Sequence, residues 1–535
     1  MFVDARTLAP GTAIQTGVCI IGAGAAGITL ALSLQTAGFP IVVLESGDFD
    51  FDATTQDLDA GDLAGVPNWP TDVSRLRFFG GTTNHWSGWC RPLDASDFEP
   101  RSAIPLSGWP FRRDTLIAYY QQAQRICDLG PFDYDDPEAW IRETGQKGPK
   151  FDSARLKTSI FQVSPPTRFG QTYREPLEKA DTVTVYLNAN VVDIQANASA
   201  SAVELINVRC LDGPAFTVQA RYVVLATGGL ENARILLLSN GVQTAGLGNS
   251  NDVVGRYFMD HPWFTYAAVA RFAEPDPSLP LFFGETPMRG TSVFATLTSG
   301  DTQAPGTNAV GGFRVWMQQL HRVPEGVDSL KAVGSALSHF KLPDHLWEHI
   351  GSILRDRGVI ADSLYRTVTG RSSSPFASAD PTTGAITGAV LDINTEQVPN
   401  ASSRVTLSDK RDALGQNRLL LDWRLSENER RTYQRAQELV ALEFGRLGIG
   451  RVNAKALPDH GWPEQMYGSR HHMGTTRMSD DPKTGVVDAN CRVHGLANLY
   501  IAGSSVFPTS GYANPTLTIV ALALRLSDEL RRQMA

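Results

Sequence analysis

Apolar residues run unbroken from Val18 to Ile21, recur on the turns of a helix from Ile28 to Leu34, and run again from Ile41 to Leu44. Glycines separate the first two runs, so the pattern predicts strand, glycine turn, helix and strand, a βαβ unit closed by Glu45. Residues about 51–75 are polar and aperiodic and read as a loop. In RLRFFGGTTNHWSGWCRPLD, Gly80 and Gly81 precede small polar residues and two tryptophans, a loop suited to laying backbone against a flat group. Residues about 107–165 read as helix and loop. From Asp181 to Arg234 the strands VTVYLNANVVDIQA, VELINVRCL and FTVQARYVVLAT lead into a glycine turn and the helix ATGGLENARILLLSN. Residues about 250–470 mix both types. They include a helix-rich stretch at 340–366, an exposed polar loop at 370–388, the strand pair RVTLSD and RLLLDWRL, and a long helix from Glu427 to Leu447. The strand NLYIA ends at Gly503, and a helix starts near Pro515, where proline suits the first turn.

Strand–turn–helix units at both ends imply one nucleotide-binding domain interrupted in sequence. The expected class is α/β: a discontinuous Rossmann-like domain of the two-dinucleotide-binding type plus an α+β substrate domain with an antiparallel sheet. The expected segments are 1–95, 181–250 and 471–535 for the nucleotide domain, the last carrying the catalytic loop. A cap segment at 96–180 and a substrate domain at 251–470 complete the division.

Length and charge narrow the functions. A chain of 535 residues has ample core for two or more domains. The net charge is −8 and no Lys/Arg run stands out, so no nucleic-acid partner is expected. The five cysteines, Cys19, Cys90, Cys127, Cys210 and Cys491, show no CxxC spacing and read as reduced thiols with no metal site. Cys90, close to the glycine-tryptophan loop, reads as a packing residue. No run approaches the ~20 apolar residues of a membrane span. The run Leu517–Leu524 is short and flanked by Arg525 and Asp528. The first apolar run lacks a basic leader, so a cytoplasmic location is expected, with export alongside a partner left open.

Gly22, Gly24 and Gly27 form GxGxxG directly after the first strand, and Glu45 follows about 20 residues on. Gly22 allows the tight turn, Gly24 lets backbone approach a pyrophosphate, and Gly27 lets helix and strand pack closely. The helix N-terminus, with Ala25 and Ala26, offers free N–H groups to an anion. Glu45 can accept from ribose hydroxyls, and its charge disfavours a 2′-phosphate. NAD and FAD both satisfy this unit.

Six ordered blocks decide between them: VCIIGAGAAGITLALSL, FFGGTTNHWSGW, ATGGLENARILL, VGRYFMDHP, HHMGTTRM and NLYIAGSSVFPTSGYANPTLTIVALA. Together they span nearly the whole chain, which resembles the GMC (glucose–methanol–choline) flavoenzymes. TNHWS and YANPTLT look most like pyranose oxidases and glucoside 3-dehydrogenases or 3-oxidases. The resemblance implies FAD. Gly80, Gly81, Thr82, Asn84, His85, Trp86 and Ser87 would line the flavin ring, and Val191 would contact adenine. Ala226, Gly228, Gly503, Ser504, Pro515 and Thr516 would complete the cofactor wall. It leaves covalent attachment through His85 open beside non-covalent binding, which the glucoside-dehydrogenase-like members favour. The glucose-oxidase branch has an acid where this chain has Gly503, so backbone would replace a carboxylate there.

Alcohol oxidation removes a hydride from carbon and a proton from oxygen, so a base must sit near the hydroxyl. His471 occupies the family's base position, and Asn514 matches the second position, where an amide can orient the same hydroxyl. Such a base predicts that flavin reduction slows as pH falls between about 8 and 5. His472 is expected to point to the opposite face as a structural neighbour. Gln397, read on a strand facing the flavin, is expected to bind a sugar hydroxyl with His471 and Asn514. His261 in FMDHP is expected to be structural. The expected substrate is a pyranose or glycoside oxidised at C2 or C3, with O2 or a quinone-like or protein acceptor. A non-sugar alcohol oxidase, a lyase-type or non-catalytic flavin binder, and an NAD-dependent dehydrogenase are the rival readings. Oligomeric state is not readable.

Overall fold

The computed structural model describes residues 1–300, 311–321, 345–355 and 385–535, with single positions 329, 333 and 357. Strand β1 (Ala13–Ile21) enters the glycine turn, helix α1 (Ala25–Leu34) follows, and β2 (Ile41–Leu44) returns parallel, with Val18 opposite Ile41 and Ile21 opposite Leu44. Strand β3 (Ala215–Leu225) lies parallel on the other side of β1, its Leu225 opposite Ile21, and feeds helix α2 (Gly228–Leu238). Leu499–Ile501 also pairs parallel with β3, so residues from both ends of the chain share one eight-stranded sheet. Val203–Arg209 and Asn190–Ala196 extend that sheet antiparallel from β3, while Val183–Leu187 and Phe2–Asp4 extend it parallel from β2.

The parallel strands read as continuous apolar runs because helices cover them. In α1, Ile28, Leu30, Ala31 and Leu34 are all buried. The second sheet is antiparallel throughout. Its order is Gly450–Ala454, β4 (Pro262–Phe272), Ile386–Thr395, β5 (Phe313–His321), Thr291–Ser299, Leu156–Val163 and Trp89–Cys90. The strand β6 (Met466–Gly468) adds to the start of β4, with Pro262 opposite Gly468 and Trp263 opposite Tyr467. The helix α3 (Glu427–Arg446) starts at a Ser426/Glu429 capping box and packs on this sheet. Helix α4 (Thr516–Met534) closes the chain against α1.

The stretch at 51–75 is more ordered than its polarity suggests. It holds a helix, Ala53–Asp57, and a strand, Asp62–Gly65, which joins the hairpin Arg404–Arg411/Asn417–Trp423 as a third strand. That strand's partner lies some 350 residues later, so nothing local marks it. Of the helix expected at 340–366, Leu346–Arg355 is described. The expected loop falls outside the described residues up to 384, and residues 386–388 are already strand. The five cysteines are buried and free. No helix among the described residues is long and apolar enough to cross a membrane.

Candidate active site

A cavity of about 640 Å³ opens between the carboxyl ends of β1, β2 and β3 and the antiparallel sheet. This is where ligands bind in parallel sheets, and the volume falls within the ~300–1,000 Å³ range of small-molecule and cofactor sites. Gly22, Gly24, Ala25 and Ala26 form one wall, with Glu45, Val191, Ala226 and Gly228 beside them. Gly503, Ser504, Pro515 and Thr516 close that end. Gly81, Thr82, His85, Trp86 and Ser87 face it from the tryptophan loop.

The glycines divide by task. A side chain at Gly24, Gly228 or Gly503 would meet nothing within 4 Å, so all three present bare backbone to open space. A Cβ at Gly27 would lie 1.9 Å from the Gly22 carbonyl, so Gly27 keeps α1 against the turn and does not reach the wall. Gly22 has φ +101°, and a Cβ there would lie 2.8 Å from the Ala226 carbonyl.

His471 and Asn514 also line the cavity. Asn514 Nδ2 is 3.3 Å from His471 Nε2. The pairing of β4 with β6 sets this corner. Residues just before β4 and just after β6 run side by side, with Met259 bridged to Met473. Fully buried Asp260 pins them together: Oδ1 accepts from the backbone N–H of His261 (2.7 Å), Ser469 (3.0 Å) and His471 (3.0 Å), and Oδ2 from Arg470 (3.2 Å). Burial lifts Asp260 to about 6 despite those four donors. Arg470 takes a left-handed backbone, φ +63°, which turns the next residue into the cavity.

The comparisons with known proteins then agree with this layout. A family model described as FAD dependent oxidoreductase matches residues 17–301, more than half the chain, and one described as GMC oxidoreductase matches 399–523. This chain is an FAD-dependent GMC oxidoreductase. It is 24% identical to a 6'''-hydroxyparomomycin C oxidase of Streptomyces lividus over 99% of this chain and 94% of the relative. It is 34% identical to a C-glycoside 3-oxidase of Microbacterium trichothecenolyticum over 25% of this chain and 26% of the relative. The fold matches a pyridoxine 4-oxidase from Mesorbium loti with a TM-score of 0.57 at 16% identity, covering 96% of this chain and 98% of that one. The three bare-backbone glycines and the α1 N-terminus fit the family's cofactor, whose pyrophosphate needs close backbone approach.

Several residues of this GMC oxidoreductase sit differently from the sequence reading. Gly80 is off the cavity wall: at φ +94° it packs against Gly170, 2.6 Å from where its Cβ would be. Asn84 is off it too, donating from Nδ2 to the Phe79 carbonyl at 3.0 Å. Gln397 cannot serve a substrate. It lies beyond the strand that ends at Thr395, and it is fully buried. Its Oε1 accepts from the Asp260 N–H and from Trp423 Nε1, and its Nε2 donates to the Phe258 and Arg424 carbonyls. Buried Cys90 is not on the wall. His472, expected on the opposite face, lines the same cavity as His471. Burial, then Arg75 and Arg470, bring His472 down to about 3.

Glu45 reaches the cavity, but Oε2 already accepts from the Ala23 N–H (2.8 Å) and Oε1 from the Gly47 N–H (3.0 Å). A carboxylate has further lone pairs, so a hydroxyl can still donate to it. The sequence reading missed three contributors: the aromatic walls Trp69, Trp263 and Tyr467, the ion network behind α2, and His261. His261 is fully buried, and its Nδ1 is 2.9 Å from His471 Nδ1. The Asp-His-Pro triplet entering β4 was its only local sign.

Proposed function

We propose that this flavoenzyme oxidises a ring secondary alcohol, at C2 or C3, of a pyranose or glycoside to a keto-sugar. The observation that carries the reading is the pair His471 Nε2 and Asn514 Nδ2, 3.3 Å apart on the wall of a cavity that bare glycine backbone also lines. A hydroxyl that displaces the Asn514 N–H from Nε2 donates to that lone pair and accepts from the amide, which suits a positioned base and an orienting donor. Bound FAD supplies the acceptor for two electrons and a proton, delivered as hydride to flavin N5. His471 takes the hydroxyl proton on Nε2, and Asn514 holds the oxygen as it becomes carbonyl.

The α1 N-terminus at Gly24–Ala26 would hold the pyrophosphate, Glu45 the ribose and Val191 the adenine. Gly81, Thr82 and the segment His85–Ser87 would face the ring, bound without a covalent link. The carboxylates on the wall have their partners: Glu45 would be taken by the ribose, and Asp59 and Glu231 pair with Arg75 and Arg77. None among the described residues is left for an ammonium group, and tryptophan walls suit the C–H face of a neutral sugar. The electrons then leave for O2 or a quinone-like acceptor.

Anaerobic bleaching of the flavin tests this with glucose, a neutral C- or O-glycoside, an aminoglycoside and simple non-sugar alcohols. Glucose or the glycoside should bleach the flavin fastest and yield a keto-sugar by NMR. Bleaching by non-sugar alcohols alone, or cleavage without bleaching, would overturn the assignment.

A further inference from the structure

Four side chains from four separate segments form one hydrogen-bonded line at the catalytic corner. Arg314 on β5 donates from Nη1 to Asn514 Oδ1, and from Nε to Asn394 Oδ1 at 3.3 Å. Asn514 Nδ2 meets His471 Nε2, and His471 Nδ1 meets His261 Nδ1. A guanidinium has five N–H groups and no acceptor, so it fixes the sense of every bond after it. Asn514 must turn its oxygen to Arg314 and its NH2 to His471. His471 Nε2 must then be the acceptor, and its single proton must sit on Nδ1. The 2.9 Å contact to His261 needs one proton, which His471 Nδ1 supplies. His261 must accept on Nδ1 and carry its own proton on Nε2.

We propose that His261 and Arg314 are positioning residues that lock His471 into the Nδ1–H tautomer, so that its only free lone pair stays on Nε2, where the Asn514 NH2 holds it until a hydroxyl takes that place. This rests on His471 being the base. The reverse tautomer would place an N–H on Nε2 against the amide NH2, or turn that NH2 toward the guanidinium; either sets donor against donor.

His261 suits an acceptor. It is fully buried, and burial together with Arg314 brings it down to about 3, so it stays neutral with a free Nδ1 lone pair. The Ser510 and Gly511 backbone and Glu396 face it and favour a proton on the ring. Among the described residues no hydrogen bond of strict geometry satisfies its Nε2, and the contact to His471 is the one its Nδ1 makes to a side chain. Around His471 the charged and titratable neighbours are His261, Arg314 and His472, with Asp260 at its backbone N–H. No carboxylate among the described residues pairs with the buried Arg314. The amide oxygens of Asn514 and Asn394 are its partners there, as befits a group placed for direction.

The tautomer can be read directly by nitrogen NMR on holoenzyme labelled with ¹⁵N-histidine, the two signals being assigned by their loss in His471→Gln and His261→Asn. The expected spectrum shows His471 protonated on Nδ1 and unprotonated on Nε2, and His261 the reverse. His471 protonated on Nε2 would overturn the proposal, while the His471→Ala reduction rate decides separately whether His471 acts in the chemistry. His261→Leu should mix the His471 tautomers and slow anaerobic flavin reduction by glucose at least roughly tenfold, a part of what a general base contributes. His261→Asn, whose Oδ1 takes the place of Nδ1 as acceptor, should restore both. Arg314→Met should mix the tautomers with His261 intact. If His471→Ala slows reduction but His261→Leu leaves rate and tautomer unchanged, the positioning role fails while the base survives. If His471→Ala itself reduces flavin at the normal rate, the underlying reading fails.

Discussion

A histidine in a glycine-bearing loop is a base only if it is neutral when substrate arrives, and its surroundings settle that. Burial comes first, with His261, Arg314 and His472 disfavouring a further positive charge; together they hold His471 well below its ordinary 6.5. The sequence alone suggested an ordinary imidazole and a rate falling between pH 8 and 5. The structure reverses this. A depressed pKa keeps the neutral form as pH falls, so the flavin reduction rate constant should stay level through pH 6.5 and fall only in more acid solution. A half-maximal point at or above 6.5 in stopped-flow reduction would contradict it. His471→Ala should lower that rate constant roughly 10²- to 10⁴-fold, the usual worth of a positioned base. The identities of His471 and Asn514 were legible because their blocks are local. Gln397 misled because a polar residue near a strand end gives no sign of being saturated by four partners from other segments.

At the scale of elements, the turn between β1 and α1 combines two kinds of glycine, and single substitutions should separate them. Gly24→Ala adds a methyl into open cavity space, so the protein should fold with nearly unchanged melting temperature but bind FAD more weakly. Gly27→Ala forces a methyl to within 1.9 Å of the Gly22 carbonyl, so α1 must move and both melting temperature and FAD content should drop. Absorbance of the purified protein at flavin wavelengths, beside a thermal melt, distinguishes the two. Equal effects would contradict the division. The βαβ unit, the hairpin at 404–423 and α3 were readable because period and caps are local. The strand Asp62–Gly65 was not, since its pairing comes from the hairpin far along the chain.

Across the whole molecule, a buried ion network ties remote segments together along one wall of the cavity. Glu231 at the start of α2 meets Arg75 at 3.0 Å and Arg234 at 2.9 Å, Arg77 meets Asp59 at 2.8 Å, and Arg234 meets Asp412 at 2.6 Å. Burial alone would push the Glu231 carboxyl up, but Arg234, Arg77 and Arg75 prevail and hold it well below its ordinary 4.5. A depressed carboxylate stabilises the fold above its unfolded pKa, and this contribution fades as pH falls from about 4.5 towards the folded value. Glu231→Gln leaves arginines without their counter-charge. It should cost about 3–5 kcal/mol, the usual price of removing one partner of a buried pair. It should also flatten the acid fall in melting temperature. An unchanged melt would show that the network carries no stability.

The sequence by itself determined the strand–glycine–helix unit, the cofactor class, and the two residues proposed for the chemistry, because each is written in a contiguous run with its own period or spacing. Only the tertiary structure decided which face His472 takes, that Gln397 is locked away, and that Arg314 and His261 stand at either end of the catalytic pair. Those outcomes depend on strand pairings between residues 80 to more than 200 positions apart. A hydrogen bond's direction is set by every partner in its chain, and no local pattern of amino acids records it.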